Sequence, residues 1–195
     1  MSYIKTVFTA CLIALLVGAC ATVDQLASLP GAPGYITEER SEFDGARELY
    51  MEPAWTEGDV KLSLRWRSTM DDGTAVMVAT VKGAYNIIDG QSLKFNVDGR
   101  VISLHAIDSV TEIRTTTAGS YAGPTNWSSR EYFVTREIID RLVDGNHVVA
   151  RVDMMHGYAE GIFSGDLLTM ARPAFRAFYR MAWGSPRTSS KTKAL

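Results

Sequence analysis

Three histidines, His105, His147 and His156, are by type the side chains best able to move a proton or hold a metal near neutral pH. Their spacing promises less. No two of them form a His-Glu-x-x-His or comparable pattern, and each falls at the end or the turn of a segment with strand character. Polar strand ends are the expectation, with no metal site, no catalytic residue and no cofactor. A carboxylate pair is the second candidate. If "HVVARVDMMHGYAEGIFS", residues 147–164, folds back at His156-Gly157, then Asp153 stands opposite Glu160. Adjacent carboxylates repel, and such a pair serves as general acid and base or as a cation site. Arg151 on the same face is the ordinary way to relieve it. Ser164 in "GIFSG" is a poorer nucleophile candidate. The strained elbow needs Gly-x-Ser-x-Gly, whereas here Ser164 directly precedes Gly165 and Phe163 crowds its other side.

The elements that must carry these residues are mainly strands. In "VKLSLRWR", 60–67, Val60, Leu62, Leu64 and Trp66 alternate with Lys61, Ser63, Arg65 and Arg67, the pattern of a half-buried strand. Glu48 and Glu52 of the strand "RELYME" are placed to pair with Arg65 and Arg67. "TAVMVATVK", 74–82, is apolar on both faces and reads as a central strand. "SLKFNVDGRVISL" reads as a hairpin turning at Asp98-Gly99, with Phe95 opposite Ile102 and Leu93 opposite Leu104. "TREIIDRLVDGN" reads as a helix capped by Thr135 and stopped by Gly145. In "RPAFRAFYRMAWG", Phe175, Phe178, Tyr179 and Ala182 recur at helical spacing. The fold expected over residues 42–184 is mainly β (α+β): an antiparallel β-sandwich or a strongly curved sheet, with two C-terminal-side helices packed on it.

Two surfaces stand out beside this frame. "TTTAGSYAGPTNWSS", 115–129, reads as a long polar loop, and its Tyr121 and Trp127 are candidates for a binding rim. Arg172, Arg176 and Arg180 recur every fourth residue on one face of the last helix, and Arg187, Lys191 and Lys193 extend the charge into the tail. Such a stripe suits an anionic lipid surface.

The first residues bear on location. Lys5 precedes an apolar run from Val7 to Val17, and small residues lead to Cys20 before Asp24 arrives. The run is too short to span a bilayer and has the organisation of an export signal. Val17-Gly18-Ala19-Cys20 resembles the lipobox of bacterial lipoproteins. That resemblance implies cleavage before Cys20, acylation of its sulfur and amine, and, with Ala21 following, an outer-membrane address with the domain in the periplasm. The expected organisation is a signal peptide over 1–19, a lipidated tether over 20–41, one β-rich domain over 42–184 and a mobile basic tail over 185–195. With Cys11 and Cys20 both in the leader region, the domain has no thiol chemistry.

From Cys20 to Asp166 there are 13 basic and 22 acidic side chains, whereas the residues beyond carry six basic and no acidic ones. A net-acidic exported domain is a poor match for nucleic acid. The leading expectation is a lipid-anchored, non-catalytic domain that contacts envelope components, anionic envelope lipids or another envelope protein. A carrier of an apolar ligand or lipid between sheet and helices, lined by methionines 70, 77, 154, 155, 170 and 181, is the alternative. A hydrolase using Asp153 and Glu160 comes third.

Overall fold

Alternation of apolar and polar residues along the strands builds two antiparallel sheets around one core. A computed structural model describes residues 30–117, 123–165 and 170–184; Cys20 and the export signal, Tyr121, and the basic tail lie outside the described residues. Numbered along the chain, the larger sheet contains β1 (Ile36–Arg40), β2 (Arg47–Met51), β3 (Ala54–Trp55), β5 (Val60–Arg67), β6 (Thr74–Lys82), β9 (Glu112–Thr116) and β10 (Thr125–Thr135). Its order is β1-β2-β5-β6-β10-β9, with the short β3 also paired to β5. The smaller sheet contains β4 (Glu57–Gly58), β7 (Leu93–Val97), β8 (Arg100–Leu104), β11 (Val148–Met154) and β12 (Gly157–Ile162), in the order β4-β12-β11-β7-β8. Two helices, α1 (Arg136–Asp144) and α2 (Ala171–Trp183), close the core. The fold is thus mainly β, with a strongly curved antiparallel sheet. No helix among the described residues is long and apolar enough to cross a membrane.

One face of each central strand is buried. Val60, Leu62 and Leu64 of β5 and Ala75, Met77, Ala79 and Val81 of β6 point inward. They meet Leu93, Phe95, Val148, Ala150 and Val152 from the smaller sheet. Ile139, Leu142 and Val143 of α1 and Phe175, Phe178 and Tyr179 of α2 complete the cluster. Each large apolar side chain taken from water contributes about 1.5–3 kcal/mol. Phe163 and Phe175 meet edge to face at 5.0 Å where the smaller sheet approaches α2. The space an apolar cargo would need between sheets and helices holds these rings. Of the methionines proposed to line it, Met77 is core and Met154, Met170 and Met181 pack against that core, whereas Met155 lies in an exposed turn and Met70 borders a surface trough.

The hairpin at Asp98-Gly99 forms in the expected register, with positive φ at both turn residues (51° and 88°). Helix α1 begins after Thr135 and stops at Gly145, as its pattern implies. Three expectations are corrected. The tether does not extend to residue 41, because Ile36–Arg40 is β1, paired along its length with β2. Before β1, Gly34 donates its backbone N–H to the Glu52 carbonyl and lies against Ala54 and Ala174. Both ends of the supposed loop 115–129 are strand, residues 115–116 and 125–129, since β9 and β10 pair from Thr116↔Thr125 to Glu112↔Ser129. The last hairpin turns at Met155-His156, one residue earlier than expected, so Met154 pairs with Gly157 and Arg151 with Glu160.

Candidate binding cleft

The polar residues that alternate with the core positions form the outer face of the large sheet. Register brings them into rows: Lys61 of β5 faces Thr80 of β6, which faces Ser129 of β10, and Glu112 of β9 lies beyond. The sheet curls so far that Tyr50 of β2 comes within electrostatic reach of Arg114 on β9, although three strands lie between them. The result is a cleft of about 220 Å³. Ser63, Val78, Thr80 and Ser129 make its floor, Tyr50 and Pro53 one wall, and Glu112, Arg114 and Thr116 the other. Ser63 and Ser129 are buried although their strand face is polar, because the curled walls cover them.

Lys61 and two tryptophans occupy one end. The Lys61 ammonium lies 3.8 Å from the ring centre of Trp55 and 3.5 Å from that of Trp127, and the two indoles meet edge to face at 6.1 Å. Trp127 is oriented by donating its indole N–H to Thr116 Oγ1 at 3.2 Å. A cation over an indole face is attracted by the ring quadrupole. Partial burial still opposes the charge and pulls the Lys61 pKa below its ordinary value. Among the described residues, no carboxylate pairs with this ammonium.

The other cations are matched. Arg65 binds Glu131 at 2.7 Å and lies over the Tyr50 ring; Arg114 binds Glu112 at 2.8 Å. Burial raises the Tyr50 pKa, so its hydroxyl keeps its proton at neutral pH. On the other side of Tyr50 and Arg65 lies a second, wider trough of about 540 Å³, bordered by Thr37, Glu39, Glu48, Glu52, Arg67 and Met70. Glu48 pairs with Arg67 there at 3.2 Å, as expected, whereas Arg65 reaches Glu131 instead of Glu52.

The residues marked from spacing fare differently. Trp127 is a cleft wall, on a strand and not on a loop. Asp153 and Glu160 do not face one another: the one-residue shift in the turn sets Asp153 against Tyr158, with Lys94 Nζ at 2.6 Å from its carboxylate, and gives Glu160 to Arg151 at 2.7 Å. The acid–base or cation site they would form is absent. Arg172 donates to the carbonyls of Val143 and Gly145, and Arg176 to that of Val143 at 3.3 Å. They thereby satisfy the carboxyl end of α1, where helix carbonyls gather partial negative charge, while Arg176 and Arg180 both remain exposed. His105 pairs with Gln91 at 2.7 Å, His147 is held through its backbone to Asp98, and His156 occupies the exposed turn. Ser164 Oγ accepts the Val148 N–H at 2.9 Å and serves to end β12.

No motif or spacing marks Lys61 or Trp55. Lys61 looks like any solvated position of an alternating strand, and Trp55 is far from Trp127 along the chain. The signal present in the chain was two tryptophans in polar segments and a lysine on the polar face of the strand 60–67.

Fold and cleft together define a mainly β protein with a ligand-sized depression on the concave face of its curved sheet. Comparison with protein-family models matches no family, and neither curated proteins nor solved structures include one significantly similar to this chain.

Proposed function

We propose that this chain is a lipid-anchored protein of the bacterial outer membrane, facing the periplasm, whose β-rich domain binds an envelope component without transforming it. The lipobox-like Val17-Gly18-Ala19-Cys20 supports the anchor. The observation that carries the binding role is the cleft, where Lys61 is held between two indoles with no counter-charge from the described residues. An ammonium so placed, with its charge unmatched by a carboxylate, suits an anionic group arriving from outside. Buried acyl chains each contribute about 0.8 kcal/mol per CH₂, so two or three hold the domain at the membrane persistently.

The anchor is tested by labelling cells with radioactive palmitate and fractionating their membranes. Label and membrane association are expected in the native chain, and both are lost in Cys20→Ser. A soluble native protein with a free Cys20 thiol would refute the anchor. Binding is tested in intact cells with a photo-crosslinking residue at Tyr50 on the cleft wall: a discrete adduct is expected there and not with the same residue at the remote Val101.

A further inference from the structure

A half-buried ammonium has three hydrogens to donate, and indole faces satisfy its charge better than its hydrogen bonds. Lys61 therefore retains donor capacity directed at the cleft it lines. A ligand carboxylate meeting it forms a charge-assisted hydrogen bond, roughly twice as strong as a neutral one. The floor adds a second requirement. Ser63, Thr80 and Ser129 present hydroxyls for which no hydrogen bond to protein is found among the described residues, so the ligand best suited to this floor carries hydroxyl groups of its own. The walls add a third: Tyr50 and Trp127, each covered on one side by Arg65 or Lys61, border the cleft with aromatic rings that suit a ligand with an apolar face. The cleft's volume of about 220 Å³ suits one ring. The larger trough on the other side of Tyr50 and Arg65 leaves room for further units.

We propose that the cleft binds an acidic saccharide, with the carboxylate of one uronate-type ring on Lys61, the ring hydroxyls on Ser63, Thr80 and Ser129, and the ring lying between Tyr50 and Trp127. This rests on the reading of the cleft as a binding surface and names the chemistry of what it binds. The pull of burial on the Lys61 pKa fits the same role, because an incoming anion offsets that penalty and restores the charged form.

The experiment titrates the full-length protein in non-ionic detergent with tri-galacturonate, followed by calorimetry and tryptophan emission. Saturable binding that weakens as salt rises is expected, with no response to galactotriose, the uncharged counterpart. Lys61→Met weakens Kd at least tenfold with an unchanged unfolding temperature, and Lys61→Arg retains most of the affinity. Thr80→Val, nearly isosteric and on the floor, weakens it several-fold and provides the second check should Lys61→Met unfold. No saturable binding of tri-galacturonate, equal binding of galactotriose, or native affinity in both Lys61→Met and Thr80→Val would overturn the proposal. Tighter binding of tri-glutamate would overturn it too, because the carboxylate would then belong to a peptide. A discrete crosslink at Tyr50 alongside any of these results would preserve the binding role while removing the saccharide; loss of both removes the two together.

Discussion

Arg130 projects from β10 toward the interior, where its side chain is only 2% exposed. Its guanidinium donates to the carbonyls of Ile88 and Ser109 and to Thr111 Oγ1, so a single charge gathers two connecting segments. Two positions along, the buried Tyr132 hydroxyl meets Ser92 Oγ at 2.8 Å. Burial pushes the Tyr132 pKa up to about 12 from an ordinary 10.0. Removing the hydroxyl in Tyr132→Phe leaves Ser92 without this partner and is expected to cost about 1–3 kcal/mol in urea unfolding at pH 7. The pH dependence has a definite sign. The folded-state pKa lies above the unfolded value, so this contribution is complete below pH 10 and is lost as pH rises toward 12. The stability gap between native protein and Tyr132→Phe should shrink across that interval; a gap that stays constant would contradict the assigned burial. This run of polar residues was hidden from pattern reading, because a strand that turns Ser128, Arg130 and Tyr132 inward and Trp127 and Phe133 outward inverts the usual alternation.

At the scale of elements, the chain crosses from the large sheet to the small one between β3 and β4, at Thr56. Its buried hydroxyl donates to the Val60 carbonyl at 2.6 Å and touches Gly161 of β12. A Cβ on Gly161 would overlap Thr56 Oγ1, so Gly161→Ala forces the crossing strands apart. Overpacking of this kind costs about 1–3 kcal/mol. Gly99, with φ of 88° and open space around it, is the control. Gly99→Ala should cost only the left-handed backbone penalty of about 1–2 kcal/mol. Thermal unfolding should therefore rank Gly161→Ala at or below Gly99→Ala, and only Gly161→Ala should disturb Trp55 emission. The elements legible in advance were those whose core positions are uniformly apolar: β5, β6, the β7–β8 hairpin, and the two helices. β1, with the sequence ITEER, hid because its side chains are exposed at a sheet edge. The end of β9 and the start of β10 hid behind Thr, Asn and Ser, residues that favour turns as readily as edge strands. The hairpin slip at Met155-His156 had the largest consequence, since a one-residue shift separated Asp153 from Glu160.

Across the whole molecule, one continuous apolar cluster takes residues from both sheets and both helices. Phe163, fully buried and stacked edge to face on Phe175, joins the end of the small sheet to α2. Phe163→Ala should destabilise by about 3–5 kcal/mol. Far-ultraviolet circular dichroism and tryptophan emission should still report one coincident transition, because neither sheet has a separate core to fall back on. Two separated transitions would show that the sheets fold independently. The cleft was only partly readable at this scale. Trp127 could be singled out as an aromatic in a polar stretch, but its pairing with Lys61 and Trp55 requires β3, β5 and β10 to be brought together by the sheet.

The place where the chain first docks, Gly34 beneath Ala174 and beside Ala54, sets a mooring radius. With Cys20 acylated as proposed, the 14 intervening peptide units span at most about 50 Å when fully drawn out. The amino-terminal turn of α2 and the β3 margin, which holds Trp55, must then stay inside that distance of the bilayer. A polymer meeting the tryptophan end of the cleft would thus be caught close to the membrane surface, within roughly one domain's width of it.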